Sequence, residues 1–311
     1  MRRSCQILRI SAHRRPDTSA TYIERVNLAI DRINGRLDGP IRLRDLARAA
    51  MLSPHHFHRV FQALVGETPA DFVKRLRLEK ALRLMALPKP PSLTQIALSC
   101  GFASSADFSR SFRQKFGLPP SAFDITAWRR THAEALESGL PASGRIAALP
   151  ARDNPDAFRV RIRDLPARTV AYIRVARPYE GDGVLGAAQR LEAWGERHGL
   201  ADSQWLGYQW DNPEITALKD CGYYIAVVAE QFEPRGEIGR YRFPPMTVAQ
   251  VELRGGIELE LRALQWLYGA WLPRSGYVPD DQPGFEAFIG RPFAHGTTYF
   301  ELHAQVPIRR P

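Results

Sequence analysis

The sequence predicts two domains of different fold class, an all-helical domain followed by an α+β domain. The length of 311 residues exceeds the roughly 100–200 residues typical of one domain. A segment dense in Pro, Gly, Ser and Ala at 138–157 interrupts the chain. Across that segment, the apolar pattern changes from helical spacing to short β-rich runs with two helical stretches. We therefore expect domains at 20–128 and 158–309, joined by a linker over 129–157.

The charge of the chain divides at the same place. Residues 1–130 hold 23 Lys and Arg against 10 Asp and Glu, whereas residues 131–311 hold 20 against 23. A basic domain beside a near-neutral one is typical of a polyanion-binding module joined to a domain with another task. A solvated basic surface without a partner would give the same composition.

The composition excludes several classes of protein. Apolar residues make up 44% and charged residues 24%, which is typical of globular domains and not of disordered or collagen-like chains. The three cysteines lie far apart without a CxxC pair, which favours a reduced, cytoplasmic setting and argues against a cysteine zinc site. The N-terminus lacks the apolar core of a signal peptide. No run approaches the ~20 apolar residues of a transmembrane helix, so no membrane partner is expected.

An internal repeat marks the helical domain. Six residues between Phe57 and Phe72 return with the same identities 51 positions later, between Phe108 and Phe123. In each copy a helix is followed by a short turn and a second helix, which Ser53 and Ser104 can cap. The repeat therefore predicts two helix-turn-helix units, in which the second helix can enter the major groove of DNA.

Polar residues follow the outer face of both second helices at helical spacing. These residues are His55, His58, Arg59 and Gln62 in the first helix, and Ser105, Ser109, Arg110 and Arg113 in the second. Arg can donate two hydrogen bonds to guanine, and Ser and His can contact bases or phosphates. Surface ion pairing is the alternative role for the arginines. The spacing of His55, His56 and His58 is poor for metal ligands, so we expect no metal and no cofactor.

The segment 70–87 between the two copies predicts a helix about 25 Å long. A spacer of that size could hold the two reading helices about one DNA turn (~34 Å) apart. One chain could then read two successive major grooves, and both a monomer and a homodimer are consistent with the sequence.

Residues 20–128 resemble the DNA-binding domain of the AraC/XylS family of bacterial transcription regulators. The segment from Ile96 to Phe123, with Gly101-Phe102, Phe108 and Gly117, carries the resemblance most strongly. The resemblance implies promoter or operator DNA and RNA polymerase as partners. It also implies seven base-facing positions: His55, His58, Arg59, Ser105, Ala106, Ser109 and Arg110. Met51 departs from the family pattern, which usually has Gly at a position that often needs positive φ.

A second repeat, with another period, marks the α+β domain. Leu165-Pro-x-x-Thr-Val-Ala returns 78 residues later as Phe243-Pro-x-x-Thr-Val-Ala. Helical and strand-like segments after each copy predict a βαββ unit used twice, which we expect to form two sheets related by a pseudo-twofold axis. A cleft between two such sheets is a natural ligand site. The aromatic residues concentrated here suit planar or cationic compounds.

Residues 158–309 resemble the GyrI-like small-molecule-binding domain, through 165–171, 266–277 and Pro283-Gly-Phe-Glu-Ala-Phe. In that family a glutamate of the Pro-x-x-Glu segment pairs with cationic ligands, which implies this role for Glu286. A surface position on a strand edge is the alternative for Glu286. Aromatic residues proposed for the pocket wall, each equally suited to core packing, are Tyr208, Trp210, Tyr277, Phe288 and Tyr299. The domain order matches the Rob-type subgroup of the AraC/XylS family.

These features predict a transcription regulator in which a small aromatic or cationic effector, bound by the second domain, changes DNA binding by the first. Two alternatives from other classes stay open. In one, Glu286 activates water and the second domain hydrolyses reactive small molecules. In the other, the protein is an architectural DNA-binding protein with an inert second domain. No catalytic residue is assigned, because no Ser-His-Asp set, HExxH, P-loop or GxGxxG pattern supports other chemistry.

Overall fold

The computed structural model describes residues 18–87, 89–125, 127–128, 154–211, 216 and 221–310. We call residues 18–128 the helical half and residues 154–310 the sheet half. The predicted linker lies mostly outside the described residues, so its bounds stay a prediction. Within the described ranges, no helix combines the length and the apolar character needed to cross a membrane.

The helical half contains the two predicted helix-turn-helix units. Its helices are α1 (Thr18–Asn34), α2 (Leu43–Ala49), α3 (Pro54–Val65), α4 (Pro69–Met85), α5 (Leu93–Ser99) and α6 (Ser105–Phe116). Both predicted N-caps are confirmed: the Ser53 hydroxyl accepts from the His56 amide at 3.3 Å, and the Ser104 hydroxyl from the Asp107 amide at 3.1 Å. The 17 residues of α4 confirm the spacer helix, which is about 25 Å long at 1.5 Å per residue.

Helix α4 belongs to the core of both units. Its first half places Phe72 and Leu76 against Phe57 and Phe61 of the first unit. Its second half places Leu78 and Leu82, together with Ala81, in the core around Phe108 and Phe112. Burial of each phenylalanine contributes about 1.5–3 kcal/mol. The two units are therefore packed onto one rigid helix.

The turn of the first unit has the positive φ that was expected at Met51, where the family usually has Gly. Met51 has φ of +53°, and Gly101 at the corresponding place has φ of +84°. Met51 is 62% exposed, so its side chain buries little surface against the rest of the protein. At Gly101 a side chain would lie 2.5 Å from the carbonyl oxygen of Leu37, so only glycine fits there.

The sheet half is one antiparallel sheet with two long helices. Its strands are β1 (Arg161–Leu165), β2 (Arg168–Ala176), β3 (Trp205–Tyr208), β4 (Gly222–Val228), β5 (Gly239–Phe243), β6 (Met246–Gly255), β7 (Val278–Pro279), β8 (Phe285–Phe288) and β9 (Phe300–Arg309). Its helices are α7 (Gly183–Arg197) and α8 (Ile257–Trp266), which continues through a π-helical and a 3-10 turn to Arg274. The strand order is β1-β6-β9-β8-β3-β4-β2-β5, and β7 pairs with β9.

This strand order is symmetric about its centre, which confirms the duplication but not the expected two sheets. The strands β2, β3 and β4 of the first unit correspond to β6, β8 and β9 of the second. The leading strands β1 and β5 each pair with the other unit. At the centre β3 pairs with β8, so that Gly207 lies opposite Glu286. The expectation of two separate sheets is therefore wrong, because the β3–β8 hydrogen bonds merge them into one.

The two faces of the sheet have different coverings. One face packs against α7 and α8 and includes Ile173, Trp205 and Ile225. The other face carries an aromatic cluster that includes Tyr172, Tyr208, Tyr224, Phe243 and Phe285. Only two prolines separate β5 from β6, although these strands lie near opposite ends of the order. The end of β5 at Phe243 and the start of β6 at Met246 therefore lie within about 11 Å of each other, which requires the sheet to curl.

The helical half docks onto the sheet half through several polar contacts. Helix α1 lies against β5, and the Glu24 carboxylate accepts a hydrogen bond from the Gly236 amide at 2.8 Å. The Tyr172 hydroxyl, on the aromatic face of the sheet, donates to Asp31 of α1. Arg75 of α4 pairs with Asp211 of the sheet half at 2.6 Å.

Candidate functional sites: two reading helices and a carboxylate site

Helix α3 presents its predicted stripe to solvent. His55, Arg59 and Gln62 are exposed and His58 is half-buried. The opposite face of the helix is fixed by Phe57 and Phe61, which have no exposed surface. Because 3.6 residues make one turn, burial of the two phenylalanines forces the polar residues outward.

Helix α6 repeats this arrangement. Ala106, Arg110 and Arg113 are exposed, and Ser105 and Ser109 are half-buried. The Arg110 guanidinium lies 3.8 Å from the Asp107 carboxylate, and its side chain is 74% exposed. An exposed pair of this length contributes little stability. Arg110 can therefore leave Asp107 for a base at little cost.

A tyrosine that the sequence analysis did not single out supports the start of α3. The Tyr22 hydroxyl of α1 lies 3.1 Å from Nε2 of His56, and the two rings meet edge to face. His56 is thereby occupied by a contact within the protein. No signal in the sequence of α3 distinguishes His56 from its neighbours His55 and His58, since only the packing of α1 does so.

The second site is centred on Glu286 of β8, on the face of the sheet that carries α7 and α8. The Tyr223 hydroxyl of β4 donates to Oε2 of Glu286 at 2.5 Å. Both side chains lie over Gly207 of β3, where any side chain would collide with the Tyr223 hydroxyl and the Glu286 carboxylate. Gly207 therefore provides the space in which the two polar groups meet.

A second carboxylate, Glu260 of α8, shares this environment. Burial raises the pKa of Glu286 to about 7, although the hydrogen bond from Tyr223 opposes the shift. Burial, and then the negative charge of Glu286, also raise the pKa of Glu260 well above its usual value. No Arg or Lys ion pair to either carboxylate occurs within the described part of the chain. Two such carboxylates, unpaired with any described Arg or Lys, favour a bound cation, because its charge compensates for the loss of hydration on burial.

Glu286 remains within reach of a ligand. It is half-buried, whereas Glu260 and Tyr223 are each only 6% exposed. Tyr179 lies nearby: its hydroxyl exchanges hydrogen bonds with Gln209. Burial, followed by the charges around it, including that of Glu286, raises the pKa of Tyr179.

The five aromatic residues predicted for the wall fall into three places. Phe288 is buried on the same face as Glu286, and Tyr277 packs against that cluster, with its ring stacked on Trp271 at 6.5 Å. Tyr208 and Trp210 belong to the cluster on the opposite face. Tyr299 is 41% exposed and contacts His295. The structure therefore brings Phe288 and Tyr277, but not the other three, to the face of Glu286.

The placement of Tyr208 follows from strand geometry. Successive side chains of a strand point to opposite faces, so Tyr208 must point away from the face on which Gly207 accommodates Glu286. The same alternation places Tyr223 on the face of the sheet that carries Ile225 and Val227. The sequence also contains a signal for Glu260, which lies at helical spacing from the buried apolar residues Ala263 and Leu267. A carboxylate on the apolar side of a helix is unusual.

Across the described ranges, no group of three His, Cys, Asp or Glu is arranged to hold a metal ion. The side chains at Glu286 are carboxylates and a phenol, which can pair with a cation or exchange a proton.

Two family models match the chain. A helix-turn-helix domain model matches residues 46–124, and a GyrI-like small molecule binding domain model matches residues 158–309. The DNA gyrase inhibitor of Edwardsiella piscicida is 32% identical over 163 residues, which are 49% of this chain and 99% of that protein.

Other relatives match about a third of the chain. The probable transcriptional regulator LumQ of Photobacterium leiognathi is 34% identical over 105 residues, 33% of this chain and 42% of its own length. The chain thus spans less than half of this curated relative. The crystal structure of the DNA-binding domain of AdpA with target DNA has 26% identity and a TM-score of 0.32, covering 35% of this chain and 96% of that one.

The fold and the two sites together define a helix-turn-helix protein that carries a small-molecule-binding domain. The chain belongs to the GyrI-like family through its sheet half, and its helical half is a helix-turn-helix domain of the AraC type.

Proposed function

We propose that the protein is a one-component bacterial transcription regulator. It binds promoter or operator DNA through α3 and α6 and responds to a lipophilic, aromatic cation held at Glu286. The observation that carries this proposal is the pairing, in one chain, of two exposed reading helices with a half-buried carboxylate site to which no described Arg or Lys forms an ion pair. The protein acts in the cytoplasm as a monomer or homodimer, with RNA polymerase as its further partner.

The DNA-binding part of the proposal is supported by the exposed stripes. Arg59 and Arg110 occupy equivalent places in α3 and α6 and are both exposed. Each guanidinium can donate two hydrogen bonds to a guanine in the major groove. The neighbouring residues of the stripes complete the predicted contact set, and α4 holds the two helices at a fixed separation.

The cation part is supported by the chemistry of the carboxylate site. A ligand cation supplies a counter-ion to Glu286 and Glu260. Aromatic side chains on the same face, Tyr223, Tyr277 and Phe288, favour a ligand with apolar or ring substituents. A hydrophilic cation such as an amino acid would lose more hydration than this half-buried site restores.

The proposal is tested on the full chain with tetraphenylphosphonium as the probe. Calorimetry should show saturable binding by the wild type and its loss in Glu286→Gln. Glu237→Gln, which removes one partner of the exposed Arg190–Glu237 pair, is the matched control and should bind as the wild type does. Selection of DNA from a random library should yield a sequence whose binding Glu286→Gln retains. Absence of a saturable heat in the wild type, or of any preferred sequence, would refute the corresponding half of the proposal.

One observation keeps the hydrolase alternative open to test. A carboxylate with a pKa of about 7 and a tyrosine partner is also suited to act as a general base. Turnover of a reactive ester by the wild type, abolished in Glu286→Gln, would favour enzymatic function. A regulator without this activity should show equal background rates for both proteins.

A further inference from the structure

Helix α4 is connected to the carboxylate site by a continuous series of contacts. The Nη1 group of Arg75 donates to Oδ1 of Asp211 at 2.6 Å. The other oxygen of Asp211 accepts from the backbone amide of Gly222 at 2.7 Å. Gly222 directly precedes Tyr223, whose hydroxyl donates to Glu286 at 2.5 Å. Asp211, Gly222 and Tyr223 therefore connect Arg75 to Glu286, the carboxylate that pairs with the cation in the proposed function.

A second contact fastens the other side of the site to the same helix. Lys80 lies five residues after Arg75 on α4, and its ammonium group is 2.7 Å from the Asp281 carboxylate. Asp281 in turn lies five residues before Glu286, on the segment that leads into β8. The start of β4 and the approach to β8, which supply Tyr223 and Glu286, are therefore both bound to α4.

The contact at Arg75 is buried and specific. Arg75 is 8% exposed and Asp211 is 6% exposed. Arg75 also pairs with Glu67 at 2.7 Å and with Glu79 at 3.1 Å. Because buried charged groups are costly to leave unpaired, Arg75 and Asp211 hold a defined geometry and do not adjust gradually. A displacement of Asp211 is therefore transmitted to α4 and not absorbed locally.

Helix α4 is also the element that sets the relation between the two reading helices. It contributes Phe72 and Leu76 to the core beneath α3, and Leu78 and Leu82 to the core beneath α6. A small rotation or tilt of α4 would move both reading helices relative to the DNA. Since two major grooves must be met at once, such a movement changes affinity.

We propose that the Arg75–Asp211 contact transmits occupancy of the Glu286 site to α4 and thereby changes DNA affinity. This inference rests on the function proposed above. A cation that pairs with Glu286 displaces the Tyr223 hydroxyl, shifts the start of β4 and moves Asp211 against Arg75. Arg75 and Asp211 are positioning residues, since both side chains are buried and paired with each other. The ligand acts by binding the two arrangements with different affinity.

The test is Asp211→Asn in the full chain. Asparagine keeps the shape of the side chain but replaces one acceptor oxygen with an amide donor. It cannot then accept from both Arg75 and the Gly222 amide. Arg75 keeps Glu67 and Glu79 as partners, so no unpaired guanidinium is created. Glu237→Gln again serves as the matched control.

Two affinities are measured, each with and without the other ligand. Tetraphenylphosphonium binding is followed by calorimetry, and binding of the library-selected DNA by fluorescence anisotropy. In the wild type and in Glu237→Gln, each ligand should change the affinity of the other by the same factor, about fivefold or more. In Asp211→Asn this factor should fall to about one, while each separate affinity stays within about threefold of wild type.

The outcomes separate this inference from the proposed function. A wild-type factor retained in Asp211→Asn overturns the inference. Cation binding by the wild type without any change in DNA affinity also overturns it, but leaves the ligand site in place. A wild type that binds no cation refutes the ligand site itself, and with it the inference. If Asp211→Asn fails to fold, as judged by its thermal transition, Lys80→Gln decides: a reduced factor supports the role of α4, and an unchanged factor overturns it.

Discussion

The Tyr172 hydroxyl in β2 donates to the carboxylate of Asp31 in α1, at 2.9 and 2.8 Å from its two oxygens. The two residues belong to different halves of the chain, and their contact closes over the aromatic face of the sheet. Gly239 of β5 makes room for it, since a side chain there would collide with the Tyr172 ring. This contact involves a titratable carboxyl, so docking of the two halves depends on pH.

Docking of the helical half should weaken as pH rises. Burial raises the pKa of Asp31 to about 8, against the opposing hydrogen bond from Tyr172. The pKa of Asp31 is higher in the folded protein than the value of 3.8 in the unfolded chain, so the folded protein holds this proton more tightly. The resulting contribution to stability is complete below pH 3.8 and is lost as the pH rises through 8. Thermal unfolding at pH 5, 6.5 and 8 should show the wild type losing stability relative to Asp31→Asn, which cannot ionise. Parallel profiles for both proteins would contradict this assignment.

Cation binding should strengthen over the pH range in which Glu286 ionises. With a pKa of about 7, the ionised fraction rises about tenfold between pH 6 and pH 8, and affinity for a monovalent cation should rise by about the same factor. Calorimetric titration with tetraphenylphosphonium at the two pH values measures this change. Any residual binding by Glu286→Gln should depend less on pH than binding by the wild type, because Glu260 is then the remaining carboxylate of the site. Wild-type affinity that is equal at both pH values would show that Glu286 is not the group that pairs with the cation.

Gly207→Ala should abolish cation binding and spare DNA binding. The added methyl group would occupy the space of the Tyr223 hydroxyl and the Glu286 carboxylate. Gly269→Ala is the control, because no atom lies within 4 Å of the position its methyl group would take. Both variants are titrated with tetraphenylphosphonium and with the selected DNA. Normal cation binding by Gly207→Ala would mean that the ligand does not use this part of the sheet.

Met51→Gly should stabilise the protein. A non-glycine residue at positive φ costs about 1–2 kcal/mol, and the greater freedom of glycine in the unfolded chain offsets about half of this. The exposed Met51 side chain contributes little burial, so we expect a net gain of about 0.5–1 kcal/mol in denaturant unfolding. Gly101→Ala should lose stability instead, because of its close approach to Leu37. A destabilised Met51→Gly would indicate that the methionine side chain makes a contact that outweighs the backbone strain.

Arg110→Ala should weaken binding to the selected DNA by about 1–3 kcal/mol and relax specificity at one base pair. Lys115 is exposed on the same helix but lies outside the predicted stripe. Lys115→Ala should affect selected and random DNA alike, since a lysine that contacts only phosphate reads no sequence. Anisotropy titrations against both DNAs separate these effects. Equal losses on both DNAs for Arg110→Ala would place Arg110 on the phosphate backbone.

The helical half was predictable in detail because its determinants are local. Helical spacing, the Ser53 and Ser104 caps and the repeat of buried phenylalanines fix each helix within a few residues of the chain. Burial of Phe108 and Phe112 then decides that Arg110 faces outward. The positive φ at Met51 was suggested instead by the resemblance, because the family usually has Gly at that position.

The carboxylate site depended on contacts that no local pattern specifies. The sequence by itself determined the duplicated unit and drew attention to Glu286, whose role was implied by resemblance. The tertiary structure decided that β3 pairs with β8, so that Gly207 faces Glu286, that α8 brings Glu260 beside it, and that Asp211 reaches Arg75 of the other half. Pairing between distant strands and docking between domains depend on surfaces that exist only after each element has formed. Periodicity along the chain therefore indicates which face a residue occupies, but not which distant residue it meets there.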